Sequence, residues 1–329
     1  MFRKLLVVLL LLAGLGLGLA AHFALTPITP RELPHEFHIA PGSSLKAVAR
    51  QFEREGVLDT PGPFEWLARA LGRAGDIKAG SYLIEAPLSP LELIDKITLG
   101  DTLQGRITLV EGWNFRQIRQ AIAAQPRLRQ DSREMSDAEI LAAIGATETH
   151  PEGLFFPDTY YFDYGSSDLK LFARAYHAMR ARLDAAWAER VPGLPYRTPY
   201  EALIMASIIE KETGVPDERR LVASVFVNRL RIGMRLQTDP SVIYGLGERF
   251  DGNLRRVDLT TDTPYNTYTR AGLPPTPIAM PSEASIRAAL DPERSRMLYF
   301  VAKGGGRHHF SATLEEHNRA VNRFIRGSP

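Results

Sequence analysis

The chain has 329 residues, with hydrophobic side chains at 44% and charged ones at 24%. These are ordinary globular proportions, and they exclude a chain that is mostly disordered or mostly embedded in membrane. Forty Lys and Arg against 38 Asp and Glu leave a formal charge of +2, far from the basic stripe that neutralises a phosphate backbone, so no nucleic acid partner is expected. Cysteine is absent, which removes disulfides, thiolate metal sites and cysteine nucleophiles.

In chain order, Arg3 and Lys4 precede an uncharged run from Leu5 to Ala21. As a helix it spans about 25 Å at about 1.5 Å per residue, enough to cross a bilayer. Gly18-Leu19-Ala20 also places small residues where a signal peptidase reads. The length of the run, and its extension through Phe23 to Leu25, favour a retained anchor with its positive flank inside and the rest of the chain exported. Gly14 and Gly18 form a small-xxx-small pair, a spacing too common in such helices to carry a dimerisation claim. Pro27, Pro30 and Pro34 then predict an extended spacer.

Phe37-His38-Ile39 alternates like a strand, Pro41-Gly42 turns, Ser44 is placed to cap a helix, and Leu45, Val48, Ala49 and Phe52 recur at helical spacing. A shift of 70 residues finds the pattern again at Ile107-Thr108-Leu109, Glu111-Gly112, Asn114, Phe115, Ile118 and Ile122, as in related strand–helix units or by convergence. Between them, Pro63 to Leu71 and Pro90 to Leu99 read as helices and Ser81 to Ile84 as a strand. Farther on, Leu169, Phe172, Tyr176, Met179, Leu183 and Trp187 form one apolar stripe, a core-facing helix from Asp168 and not a cofactor box. Thr198-Pro199-Tyr200-Glu201 combines a capping-box pattern with proline at the first helical position, and Gly214 and Pro216 supply the stop. Another helix is expected from Asp217 to about Ile232. The C-terminal part reads as a strand from Met297 to Lys303, a glycine turn, and a helix from Leu314 to Arg326 capped by Thr313.

The helix opened by Thr198 is apolar nearly all round, so it should lie buried in its domain. Glu210, in its last turn, shares a face with Leu203, Ala206 and Ser207, where small residues leave room for a ligand. Desolvation and the negative helix end both favour its neutral form, as a glycosidase general acid requires. The competing reading pairs Glu210 with Arg219 or Arg220. Glu212 points to the other side of the helix and reads as solvated or salt-bridged. Asp239, at an apparent helix start before Pro240 and Ser241, reads first as a cap. The aromatic block Leu154 to Phe162 is assigned mainly to the core. Between Asp262 and Pro281 lies a long proline-stiffened loop whose Tyr, Asn and Thr residues suit a saccharide. His308, His309 and His317 lack zinc-ligand spacing, so no metal is expected, and Gly304-Gly305-Gly306 reads as a turn.

Ala206-Ser207-Ile208-Ile209-Glu210-Lys211-Glu212-Thr213 closely resembles the signature of the YceG-like endolytic murein transglycosylases. Glu152 to Tyr160, Leu236 to Pro240, Tyr265 to Tyr268 and Gly272 to Ile278 resemble its other blocks, in order, over residues 37 to 326. The resemblance implies an α+β protein: a cytoplasmic start and single transmembrane anchor (1–25), a linker (26–36), a small LysM-like module (37–104), and a larger, mainly helical catalytic domain with strand insertions (105–329). It implies a single-pass protein of the inner membrane, its bulk on the periplasmic side, cleaving β-1,4 MurNAc–GlcNAc bonds in nascent peptidoglycan without metal or cofactor; peptidoglycan synthases are possible partners that the sequence does not identify. By position Glu210 is the implied acid/base residue, and Gln237, Asp239, Tyr244, Asn266, Tyr268 and His308 are implied substrate-binding residues. His309 departs from the pattern and is assigned no role. Two rival readings are a catalytically silent glycan-binding scaffold and a muramidase-type hydrolase using Glu210 and Asp239.

Overall fold

The computed structural model describes residues 2–327. Helix α1, Phe2–Leu25, is the one helix among the described residues long and apolar enough to cross a membrane. Its large side chains are exposed from Phe2 through Leu19, whereas near its C-terminal end Ala24 is buried in a protein core with Phe23 packed beside it. The chain then divides into two compact units, the first running to Arg106 with residues 127–129 and 161–166 added, the second comprising the remainder.

In the first unit, β1 (His35–Ile39) and β2 (Gly80–Ile84) pair antiparallel with Phe37 opposite Tyr82. Between them in sequence come α2 (Leu45–Arg54) and α3 (Pro61–Ala70), and after them α4 (Pro90–Leu99). Helix α2 starts where expected because the Ser44 hydroxyl accepts from the Ala47 N–H, and its Leu45, Val48, Ala49 and Phe52 face is fully buried. Phe37 stacks on Tyr82 at 5.2 Å, and Phe52 meets Phe37 and Phe64 edge-on at 4.9 and 5.8 Å, geometries the aromatic quadrupole favours. A serine-glutamate capping box opens α4 and Gly100 closes it in the left-handed region. The proline segment is not a free spacer. Ile28 and Leu88 exchange backbone hydrogen bonds at 2.9 and 3.2 Å, and Arg31 donates to Gly56 O at 3.2 Å.

The division between the units falls within β3 (Gln104–Thr108) and β4 (Thr159–Asp163), which form their own two-stranded sheet. The second unit continues with α5 (Phe115–Ala123), α6 (Asp137–Ala143), α7 (Asp168–Ala188) and α8 (Pro199–Glu212). A short 3-10 turn, Pro216–Glu218, precedes α9 (Arg219–Arg231). Then come α10 (Asp239–Leu246), α11 (Arg256–Thr260), α12 (Glu283–Leu290), the hairpin β5 (Tyr299–Gly304) with β6 (Arg307–Ser311), and α13 (Leu314–Phe324). As its composition requires, α8 is central, packed against α7, α9, α10 and α12, with Ala202 through Ile209 all buried. Its capping box is only half realised: Thr198 accepts from Glu201 N at 3.2 Å, but the Glu201 carboxylate turns to the N–H of Arg197. The sequence reading did not anticipate α6, β4, α11, α12 or β6. Each is at most eight residues long, too short for a clear period.

Candidate active site

Glu210 projects from the last turn of α8 into a cradle built by the start of α12. Its Oε2 accepts from the Ser282 N–H at 3.0 Å, the Ser282 hydroxyl at 2.5 Å and the Ser285 hydroxyl at 2.7 Å. Ser282 is also the N-cap of α12, accepting from Ser285 N at 3.2 Å. The cradle and the helix start are therefore one structure. Among the described residues the second oxygen, Oε1, has no hydrogen-bond partner. One face of α8 below Glu210 is tied to the long loop, since Ser207 Oγ accepts from Ile278 N at 3.0 Å. That loop is in turn zipped to the 112–113 turn: Gly112 N donates to Met280 O at 2.8 Å and Met280 N to Trp113 O at 2.7 Å. Gly112, at φ +75°, lies close beside the Glu210 side chain, where a left-handed backbone favours glycine.

A cavity of about 1060 Å³ opens beside this turn, sharing Gly112 and Lys211 with the surroundings of Glu210, and lined also by Glu152, Tyr244, Tyr265 and Phe250. Tyr244 and Tyr265 meet edge-on at 4.9 Å. Glu152 is 3% exposed. It accepts from Phe115 N, the first residue of α5, at 3.1 and 3.2 Å, and from the Tyr244 hydroxyl at 3.0 Å. Burial pushes its carboxyl up to about 7, against the pull of these donors. Gly153 beside it takes φ +80° and packs against Pro277 so closely that a Cβ would collide; a glycine lets the two loops meet.

Of the residues anticipated from sequence, Tyr244 lines this cavity, and Glu210 stands beside Gly112 of its wall. The others lie elsewhere. Asp239 does not cap α10, whose N-cap is Thr238; instead its Oδ1 accepts the Tyr268 hydroxyl at 2.5 Å. Asn266 is fully buried, donating to Asp258 O and Thr261 O at 3.0 and 2.7 Å and accepting from Tyr268 N at 2.9 Å. Its amide is occupied in shaping the loop, because buried polar groups need partners. Gln237 is exposed and is the one non-glycine residue at positive φ, +51°, among the described residues. His308 Nδ1 lies 2.9 Å from buried Glu218. Glu212 is half-buried and not free in solvent: it accepts the Thr238 hydroxyl, and burial, followed by the charge of Asp239, raises its carboxyl to about 7. Two carboxylates stand in the sequence only as part of a turn or a block, with no role assigned. One is Glu152; the other is Glu111, raised by desolvation and then by the negative charge of Glu210, with Arg219 opposing. The repeated strand–turn–helix pattern was the available signal for Glu111, since it places the turn but not what the turn faces. Among the described residues no cluster of three or more His, Asp or Glu side chains is placed to hold a metal ion.

A carboxyl group held by one oxygen and open at the other, beside a cavity with aromatic and polar walls, defines a protein equipped for acid/base chemistry on a sizeable polar ligand. Residues 37–323 match the YceG-like family, and the chain belongs to it. A Bacillus subtilis relative named endolytic murein transglycosylase is 33% identical over 305 residues, covering 88% of this chain and 84% of its own. A Streptococcus pneumoniae relative of the same name is 27% identical over 325 residues, covering 87% of this chain and 58% of its own. The crystal structure of a protein described as yceG-like from Listeria monocytogenes superimposes with a TM-score of 0.56 at 32% identity, over 87% of this chain and 98% of that one.

Proposed function

We propose that the chain is an endolytic lytic transglycosylase. It cleaves β-1,4 MurNAc–GlcNAc bonds within nascent peptidoglycan strands, leaves 1,6-anhydroMurNAc ends, and so terminates or trims elongation. The observation that carries this reading is the Glu210 carboxyl, fixed through Oε2 and open at Oε1. In its protonated form Glu210 gives its proton to the glycosidic oxygen as the C1–O bond breaks. The resulting carboxylate then accepts the proton of the MurNAc C6 hydroxyl as that oxygen bonds to C1. Nucleophile and electrophile sit in one sugar, which supplies the proximity that a hydrolase obtains by positioning water.

A muramidase needs a second carboxylate. Asp239 is engaged by Tyr268, so that alternative would draw on Glu111, whose charge is coupled to Glu210. Digestion of glycan in ¹⁸O-labelled water separates the two: anhydro ends carry no solvent oxygen, and predominant ¹⁸O at new MurNAc ends would sink the transglycosylase reading. A silent scaffold would release no fragments at all.

The same proposal places α1 in the inner membrane, with Arg3 and Lys4 inside and the bulk of the chain on the periplasmic side, near the synthases that make the strand. The β1–α2–α3–β2 order of the first unit supports a LysM-like, glycan-positioning role for residues 37–104. Deleting them should weaken sedimentation with peptidoglycan while leaving the chemistry at Glu210.

A further inference from the structure

On the face of α12 turned away from the Glu210 cradle lies a second cavity of about 460 Å³. Ser282 and Ser285 point to Glu210, whereas Ala284, Arg287 and Ala288 line this cavity. Four arginines line it, Arg190, Arg219, Arg220 and Arg287, with two acidic residues, Glu189 and Asp291.

The carboxylates are already matched. Asp291 takes Arg220 at 2.9 Å, and Arg287 is held by Glu189 at 3.2 Å and Glu283 at 2.9 Å. Arg190 lies over the Trp187 ring at 4.1 Å and donates to Trp187 O at 2.7 Å, with no acidic partner among the described residues. Arg219 has neither hydrogen bond nor contact ion pair among the described residues; it acts on Glu111 only through space, and its Nε is buried without an acceptor. A buried guanidinium nitrogen left unpaired is costly. The planar fork it belongs to matches a carboxylate in two-point contact.

We infer that this cavity takes a carboxylate of the peptide attached to the glycan, so that the protein engages peptide-bearing strands in preference to bare ones. The inference rests on the peptidoglycan substrate proposed above. A chain of N-acetylated sugars whose lactyl carboxyls are amidated by peptide carries no charge of its own. A cationic pocket one helix away from the acid therefore has its counterpart on the peptide and not on the sugars. The cavity lies within the size range of small-ligand sites, room for part of a peptide.

The test is equilibrium binding to the full-length chain carrying Glu210→Gln, which prevents turnover. The probes are soluble fluorescent glycan strands, either peptide-bearing or stripped of peptide by an amidase and then capped as simple amides at the lactyl carboxyls so freed, which keeps the bare strand neutral. Peptide-bearing strands should bind more tightly, and adding Arg219→Gln should weaken them about tenfold, the worth of one charge-assisted hydrogen bond, bringing the two probes together. Arg190→Gln, an exposed substitution that threatens no core, should produce a smaller loss in the same direction. Equal affinities of the two probes for the parent chain, or an Arg219→Gln loss shared equally by both, would overturn the inference. Because binding is read without cleavage, such a result leaves the ¹⁸O experiment untouched, and a hydrolytic ¹⁸O result leaves this one standing.

Discussion

The serine cradle makes a quantitative claim about catalysis. Ser285 is fully buried and gives its hydroxyl proton to Glu210 Oε2 at 2.7 Å, but its backbone, not its side chain, completes the start of α12. Ser285→Ala therefore deletes one donor and leaves the helix cap intact. Hydrogen bonds to charged groups contribute about 1.5–3 kcal/mol. Since Ser282 keeps its two donors on the same oxygen, the low end applies, about 1.5–2 kcal/mol, which corresponds to about a tenfold to thirtyfold fall in kcat. The melting temperature should barely move. Ser282→Ala removes both a donor to Glu210 and the hydroxyl that caps α12, so it should lower kcat by a similar factor and also cost about 1 kcal/mol of stability. Rates of fragment release from soluble strands, with thermal melting of the same preparations, read both quantities. If Ser285→Ala turns over within twofold of the parent, the three donors do not position the acid and the reasoning fails.

Glu210→Gln should remove nearly all lytic activity while preserving the fold, whereas Glu212→Gln, which keeps an acceptor for Thr238, should retain most of it; fragment release by the first variant at the parent rate would end the acid assignment. Glu152 is raised from 4.5 to about 7 in the folded chain, so the stability tied to its neutral form is fully present below about pH 4.5 and lost as pH rises through about 7. The loss amounts to at most about 3 kcal/mol. Melting of Glu152→Gln should accordingly be less pH-dependent than the parent between pH 5 and 8, and parallel profiles would show that burial does not control this group. Helix α1 is long and apolar enough to cross a membrane, so N-terminal sequencing of membrane-extracted protein should recover residues upstream of Ala20, and a mature start near Ala21 would contradict a retained helix.

Local codes were legible in the residues alone. Thr198 and Pro199 set the start of α8, its unbroken apolar run required a central position, and the spacing from Ala206 brought Glu210 to an open face at the helix end. Those inferences depend on a 3.6-residue period and on caps that act within one turn. The surroundings of the acid were not legible, because they come from far along the chain: Ser282 and Ser285 lie 72 and 75 residues from Glu210, and Tyr244 lies 92 residues from Glu152. A contact from 26 residues along the chain misled the reading of Glu212 too, which looked solvated by helical phase although the Thr238 hydroxyl donates to it. The reading of Asp239 was misled in the same way, since the returning loop engages it through Tyr268. Sequence by itself determined which residues are chemically able to act and on which helix face they stand. Which carboxylate is held, opened or desolvated was decided only by tertiary structure, since hydrogen-bond donors and exclusion of water are properties of whatever packs against a group and not of the group's own helix.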